Sequence, residues 1–501
     1  EITTRLVGSE MCIRDRIMSG MFDDFKEQVR SQANIVEIIS EYVPLKKRGG
    51  SFWGCCPFHG EKTPSFSVTP DKNFFYCYGC HVGGDVFTFV MKMENCTFPE
   101  ALKLLANKLG IAVPEKEKTK AELEREKQAK QVIAANELAT RFFQACLTKT
   151  DYGIKAQEYL TGRGITPEII ERFSIGVALP NYNALLSALG KRGCSAGLLV
   201  QAGLAVNYDR GPMDKFRGRV MIPIQDPRGH VVGFGGRILE QNSQQMAKYM
   251  NTGETEWFNK RTLLFGMNVA LKEIKKRRQA VIVEGYMDAI SLHAAGIDWA
   301  VASMGTAFAQ EQAKLLARAA DEVVFSYDSD AAGQRATVRA VSIAKEAGLK
   351  VRVLIVPDGK DPDEFVRKHG KDAYLRLIET AVSGIEFQMQ YVISQNNVSN
   401  LAGKVEAVSN ILPFLLECKN EIEVAQHIKT LAQRLTIDEG LIMSEYRKLS
   451  RKNDRGEAVS KWQIQPNVLS TEDLAEQLLL YVILKNTDLA LVYRDKIDSV
   501  G

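Results

Sequence analysis

Long apolar runs are missing from this chain. No stretch reaches the roughly 18 residues that span a bilayer, and no secretory pattern opens the sequence, so membrane roles are not expected. Strong charge of one sign is also lacking. Lys and Arg (65) nearly balance Asp and Glu (61), which leaves +4, so any surface for nucleic acid has to be local. Cysteine is sparse and unevenly spread, nine in 501 residues, which excludes a disulfide ladder and fits a reducing cytoplasm. No G-x-x-x-x-G-K-[ST] loop occurs, so a built-in nucleotide-driven motor is not expected. GFGGR at 233–237 is not a dinucleotide fingerprint, because its third glycine is misplaced; it suits close backbone packing or approach to phosphate. No internal repeat of fixed period is present. What remains has the composition of a soluble globular protein, 45% hydrophobic and 25% charged, and its 501 residues call for several cores. A single core stops growing at roughly 250 to 300 residues.

Four of the nine cysteine and six histidine positions draw together in spacing. Cys56, His59, Cys77 and Cys80 form C-x2-H…C-x2-C, two ligand pairs that match the Cys3His tetrahedron favoured by Zn2+. Cys55 and His81 adjoin the set and offer alternative ligands. The intervening GEKTPSFSVTPDKNFFY interleaves cations with aromatics at Lys62, Phe66, Lys72, Phe74, Phe75 and Tyr76. Cations follow phosphates and rings stack on unpaired bases, so Lys62, Phe66, Lys72 and Phe75 are expected to touch single-stranded nucleic acid. The alternative is that the metal staples a small domain and the aromatics form its core.

Composition shifts divide the chain. Residues 1–20 have neither helical nor strand periodicity and read as a leader outside the fold, with Met18 or Met21 as the natural start. Residues 21–113 hold the zinc set, with a helix before it and two capped helices after it, at Asp85 and at Thr97 with Glu100. Residues 114–130 carry six positive and five negative charges and read as a solvated, partly helical linker. In 131–278, helical patterns lead to two strands joined by the turn Asp226-Pro227-Arg228-Gly229. Over 279–368 the apolar runs AVIVEG, WAVASMG, EVVFSYD and KVRVLIVPDG alternate with helical stretches, which predicts a mostly parallel sheet. Residues 369–450 are helical, 451–469 a second linker, and 470–501 begin another helical module that stops in mid-pattern.

Acids collect at the ends of those runs. Glu284, Asp328, Asp330, Asp361 and Asp363 follow strands whose carboxyl ends line one edge of a parallel sheet, and Asp288 lies one helical turn after Glu284. Carboxylates gathered there repel one another unless divalent cations sit among them, and hard oxygen ligands suit Mg2+ or Mn2+. Two such ions can promote phosphoryl transfer, with Asp328 bridging them and Glu284 and Asp330 on either side. For any one of these acids, helix capping or solvation is the competing role.

VEGYMDAI, SYDSDAAG and PDGKDPDE resemble the three signature segments of a Toprim domain. CPFHGEKTPSF with FYCYGCHVGGD resembles the zinc ribbon of the bacterial DnaG-type primases, and the order of parts over residues 21–501 is similar to that family. The resemblance implies a multidomain α/β protein: an N-terminal zinc ribbon, an α+β subdomain joined to a Toprim parallel-sheet catalytic core, and a C-terminal helical bundle. It also implies synthesis of short RNA primers on single-stranded DNA from ribonucleoside triphosphates, in the cytoplasm at replication forks. One structural Zn2+ and two or more catalytic Mg2+ or Mn2+ ions go with it, Glu284, Asp328 and Asp330 being catalytic and Asp361 and Asp363 further magnesium ligands. The segment DKFRGRVMIPIQDPRGHVVGFGGRIL…KYMNTGETEWFNK resembles the basic half of the primase core, which implies template and nucleotide contacts at Arg217, Arg219, Arg237, Lys248, Asn251 and Lys260, joined by Arg163. The C-terminal region, from about Ser470, is expected to dock on the replicative helicase. A noncatalytic recombination scaffold and a topoisomerase also combine Toprim with DNA binding; the first is typically shorter, and nothing marks a nucleophilic tyrosine for the second.

Overall fold

The computed structural model describes residues 23–94, 97–113, 119–239, 247–305, 307–357, 361–418 and 420–454. The leader and the 470–501 segment lie outside them. The described residues fall into two compact units, one running to Asp328 and resuming at Ile343–Ala381, the other comprising Ser329–Ser342 and the chain from Val382.

The zinc-set region is an antiparallel sheet of Lys46–Arg48, Ser51–Gly54, Phe66–Thr69, Phe74–Cys77 and Gly83–Gly84, in that order. A short turn at Pro70–Lys72 closes its central hairpin, with Asn73 in the left-handed conformation that asparagine tolerates. Alternation then sorts the side chains. Phe66, Val68, Phe75 and Cys77 all point inward and are buried against Phe87, Phe89 and Leu102 of the following helices. Those helices are Val86–Met93, where Asp85 accepts from the Thr88 amide at 2.9 Å, and Phe98–Lys108, closed by the Thr97–Glu100 capping box.

Of the expected linker, residues 120–130 are the largely exposed first third of a 30-residue helix, Lys120–Lys149, whose Thr119–Glu122 capping box sets its start; residues 114–118 lie outside the described residues. Burial begins at Val132, where the helix meets a sheet ordered Tyr249–Asn251, Val231–Ile238, Arg219–Gln225, Gly176–Ala178. The predicted hairpin forms: the Asp226 carboxylate accepts from the amides of Arg228 and His230, both at 2.9 Å, and Gly229 supplies the positive φ. The glycines of GFGGR serve packing. A Cβ at Gly233 would lie 2.7 Å from Phe258, and one at Gly235 would lie 2.8 Å from Tyr286.

Four parallel strands follow, in the order Ala300–Ala302, Gln279–Val283, Glu322–Phe325, Lys350–Val353. Central Gln279–Val283 is apolar on both faces, as a parallel strand covered by helices has to be. Three of these strands lead to expected acids, Gln279–Val283 to Glu284, Glu322–Phe325 to Asp328 and Lys350–Val353 to Asp361, on the carboxyl-end side of the sheet. The second compact unit is helical: Gly384–Gln395, Leu401–Leu416, Glu421–Leu435 and Glu439–Asp454. Its buried Gln388 is held by the Val338 carbonyl at 3.2 Å and Ser342 Oγ at 3.1 Å.

Candidate metal centre and acidic crevice

Two turns bring the four soft ligands together, one after the strand Ser51–Gly54 and one after Phe74–Cys77. The ligand atoms of Cys56, His59, Cys77 and Cys80 all lie within 4.8 Å of one another. Cys56 Sγ and Cys80 Sγ are 3.8 Å apart, as are Cys77 Sγ and His59 Nδ1. A zinc tetrahedron with bonds of about 2.3 Å to sulfur has a sulfur–sulfur edge of about 3.8 Å, so the group fits that ion. Backbone amides point at the sulfurs, Phe58 N–H to Cys56 at 3.4 Å and Cys80 N–H to Cys77 at 3.5 Å. Burial pushes the Cys56 thiol up to about 12. At Cys77 burial pushes the same way, but the hydrogen bonds of Ser65 and of the Cys80 and Gly79 amides bring it down to about 7. Joint ionisation of such sulfurs is what a bound cation makes favourable. Cys55 is exposed and His81 meets the Tyr76 hydroxyl at 3.1 Å, so the two adjoining alternatives stay outside the group.

The expected nucleic-acid contacts of this module need correction. Phe66 and Phe75 are 0% exposed and form the core, with rings 5.3 Å apart and Phe89 5.5 Å from Phe75. They cannot reach a base without unfolding the sheet. Lys62 and Lys72 are exposed as expected. The register instead sets Lys46, Trp53, Ser67 and Tyr76 in one row across the outer face, with Arg48, Ser51, Thr69 and Phe74 in the next. Phe74 is 41% exposed, and Tyr78, 61% exposed, stacks on Trp53 at 5.8 Å and 11°. The parity of FFY was the available signal: with Phe75 inward, Phe74 and Tyr76 face out.

At the parallel-sheet edge, the Asp328 amide donates to Glu284 Oε1 at 3.1 Å, which ties the first two acids together. The Glu284 carbonyl accepts from Met304 at 3.0 Å and Gly305 at 3.3 Å and anchors the neighbouring loop. Asp288 is buried, and its carboxyl is held well above the usual carboxylate range, first by burial and then by the charges of Asp361, Asp328 and Asp363. Asp361 caps the helix Pro362–Glu379 by accepting from Glu364 N–H at 2.8 Å. Asp363, expected as a magnesium ligand, is otherwise engaged. Its oxygens accept from Ser291 Oγ at 2.6 Å, Arg163 at 2.6 Å and Arg367 at 2.9 Å and 3.3 Å, so it organises the wall rather than offering free lone pairs. Asp330, in the other compact unit, accepts from Gly333 N–H at 2.7 Å at the start of a helix. Among the described residues, no group of acids gathers its oxygens as tightly as the sulfur and imidazole ligands do.

A basic and aromatic wall accompanies the acids. Arg237 lies over Tyr159 at 5.4 Å and Tyr249 at 5.1 Å and donates to the Tyr249 hydroxyl; Arg163 covers Tyr159 at 5.4 Å. Tyr249, pushed up to about 12 by burial, meets Tyr286 edge to face at 5.3 Å. Arg217 lies over Tyr182 at 4.9 Å and donates to the Asp214 carbonyl at 2.5 Å. Lys248 is exposed beside Tyr249, and buried Asn251 Oδ1 has no hydrogen-bond partner among the described residues. Burial, then the charge of Lys260, lowers the Lys215 ammonium, so these two cations lie near each other. Arg219 departs from expectation. It is fully buried, and its guanidinium donates to the carbonyls of Gly236 at 3.2 Å, Ala247 at 2.9 Å and Lys248 at 3.4 Å. It therefore pins the backbone that presents Lys248 and does not face solvent. Sequence reasoning missed Tyr159, Tyr249, Lys215 and Ser291. KYMN and DKFRGR did place two of them beside residues that were singled out.

Comparison with known proteins sets this geometry in a family. Residues 21–121 match a CHC2 zinc finger, 142–271 the N-terminal domain of a DNA primase catalytic core, 281–366 a Toprim-like domain, and 385–440 a DnaB-helicase binding domain of primase. That last match lies upstream of the segment from Ser470. A DNA primase of Clostridium acetobutylicum is 38% identical over 481 residues, covering 95% of this chain and 79% of that protein. One from Geobacillus stearothermophilus is 34% identical and covers 94% and 80%. The crystal structure of the zinc-binding and RNA polymerase domains of Aquifex aeolicus primase aligns over 84% of this chain and 99% of its own, at TM-score 0.52 and 31% identity. A DnaG primase catalytic domain bound to single-stranded DNA aligns over 63% of this chain and 99% of its own, at TM-score 0.56 and 34% identity.

Proposed function

The chain belongs to the DnaG family of bacterial DNA primases, RNA polymerases that begin primers on single-stranded DNA, and from that premise we propose how its own residues divide the labour. Glu284 and Asp328 are the central metal-binding acids, with Asp361 near them; Asp330, two residues after Asp328 in the chain, is assigned to the same ions from its place in the Toprim-like signature SYDSDAAG. Mg2+ or Mn2+ bound there would polarise an α-phosphate and favour the attacking 3′ hydroxyl and the leaving pyrophosphate. The buried Asp288 carboxyl is held well above the usual carboxylate range, first by burial and then by the charges of Asp361, Asp328 and Asp363. Asp363 is a positioning residue, holding Arg163 and Arg367 in place. The observation that carries this reading is the Asp328 to Glu284 hydrogen bond, which joins the ends of neighbouring parallel strands.

Lys248, Lys260 and Lys215 supply positive charge for triphosphate and template phosphates, with Arg163, Arg217 and Arg237 held against tyrosine rings. Arg219 supports them through the backbone. One Zn2+ held by Cys56, His59, Cys77 and Cys80 makes the base of a template-reading module whose outer face bears Lys46, Arg48, Trp53, Phe74, Tyr76 and Tyr78. The helical region 385–440 is the surface for the replicative helicase, and the protein works in the cytoplasm at replication forks.

The test omits any primer. With single-stranded DNA, ribonucleoside triphosphates and Mg2+, the wild type makes RNA oligomers and Asp328→Ala makes none while still binding DNA. Equal synthesis by both would overturn the assignment of the acids.

A further inference from the structure

One side chain beside the metal centre is neither a ligand nor part of the core. Glu61 lies in the ligand turn and points back into it. Its Oε1 accepts from the Cys56 amide at 2.6 Å and the Ser65 amide at 3.2 Å. Its Oε2 accepts from Ser65 Oγ at 2.5 Å and faces His59 Nε2 at 3.3 Å. Ser65 Oγ in turn lies 3.3 Å from Cys77 Sγ. One carboxylate thus reaches three of the four ligands, two directly and one through a hydroxyl.

The contact with His59 decides which ring nitrogen is free. Nδ1 is the atom 3.8 Å from Cys77 Sγ, inside the ligand group, while Nε2 faces Glu61. A neutral imidazole that bonds a cation through one nitrogen carries its proton on the other, and a carboxylate there fixes both tautomer and ring orientation. Gly79 completes the seat. A Cβ at this position would lie 2.6 Å from His59 Nε2, so only glycine leaves room for the ring. Charge balance does not explain the carboxylate, since three thiolates already exceed the charge of one divalent ion. Four hydrogen-bond donors converging on its two oxygens do explain it.

We propose that Glu61 is the positioning residue of the metal centre, holding His59 as an Nδ1 ligand with its proton on Nε2 and fixing the turn that carries Cys56. This rests on the reading of the four-residue group as a zinc site. Glu61→Gln keeps the size but turns one oxygen into an amide that cannot accept. Either the two backbone donors or the Ser65 and His59 donors then face an N–H.

The experiment uses the full chain. Zinc affinity is measured by chelator competition for wild type, Glu61→Gln and Ser65→Ala, and the His59 ring nitrogens are followed by 15N NMR in the zinc-loaded proteins. The expected result is a roughly 10- to 100-fold weaker zinc affinity for Glu61→Gln. Ser65→Ala loses less and keeps a protected Nε2 proton, because the Glu61 contact to His59 survives. Wild-type His59 shows a metal-bound Nδ1 and a protonated Nε2. Glu61→Gln affinity within twofold of wild type, or wild-type His59 bound through Nε2, overturns the proposal. If Glu61→Gln does not fold, the wild-type tautomer and Ser65→Ala still decide it. Failure of the wild type to take up one zinc would instead remove the underlying site.

Discussion

Phe74 and Phe75 are neighbours in sequence and should behave as opposites. Phe75 is 0% exposed, with Phe66, Phe58 and Phe89 ring centroids at 5.3, 5.9 and 5.5 Å. Truncating such a phenylalanine to alanine costs about 3 to 5 kcal/mol from lost transfer energy and the cavity left behind. A small domain is stable by roughly 5 to 10 kcal/mol, so Phe75→Ala should leave the zinc module close to its unfolding threshold. Phe74 is 41% exposed on the outer face, and its truncation should cost under about 1 kcal/mol of stability. If it stacks on a template base, its loss should weaken DNA binding by about 1 to 3 kcal/mol, or roughly 5- to 150-fold. The assays are the rate of zinc release to a chelator in rising urea and fluorescence anisotropy with labelled single-stranded DNA. Phe75→Ala should release zinc at much lower urea, whereas Phe74→Ala should release it as wild type does and bind DNA weakly. A stable, binding-deficient Phe75→Ala alongside a normal Phe74→Ala would refute the register argument.

Arg219→Met should lower stability by about 2 to 4 kcal/mol, because three backbone carbonyls lose a buried cationic donor, whereas Lys248→Ala should leave stability within about 0.5 kcal/mol. Lys248→Ala should instead reduce the slope of log affinity against log salt for single-stranded DNA by about 0.7. Asp363→Asn should cost about 1.5 to 3 kcal/mol in urea unfolding by removing the buried carboxylate that accepts from part-buried Arg163 and exposed Arg367. Asp328→Asn should abolish primer synthesis with DNA affinity retained, and comparable stability loss in the two variants would contradict their separate roles. Asp298 is held at about 2 by His293, 3.5 Å away, and by Arg172 at 2.6 Å, against an ordinary 3.8. A lowered carboxyl favours the folded state fully above about pH 4, and that contribution fades as the pH falls toward 2. Acid titration should therefore be flatter between pH 4 and 2 for Asp298→Asn than for wild type.

Much of this protein is legible in its linear order. The zinc set needed only ligand chemistry and spacing, since C-x2-H and C-x2-C turns each form within a few residues. The hairpin at Asp226, the caps at Asp85 and Thr97 and the four parallel strands also follow from local patterns, because turns, caps and apolar alternation act over short distances. Those strand ends identified Glu284 and Asp328 as neighbours before any distance was known. Residue type alone misled where burial decided the role. Phe66 and Phe75 carry the same rings that Phe74 presents to solvent, and which face a strand shows depends on partners elsewhere in the sheet. Arg219 has the charge expected of a phosphate contact, yet its depth and three backbone carbonyls make it a brace.

Short-range chemistry in the chain determined which side chains form a metal-ligand set, where its strands and turns lie and which acids share an edge. Only the tertiary structure decided which of two adjacent phenylalanines meets water, which aspartate is committed to Arg163 and Arg367, and which carboxylate faces His59. The reason is physical. Ligand spacing and strand alternation are properties of neighbouring residues, whereas burial and hydrogen-bond satisfaction depend on residues brought together by folding.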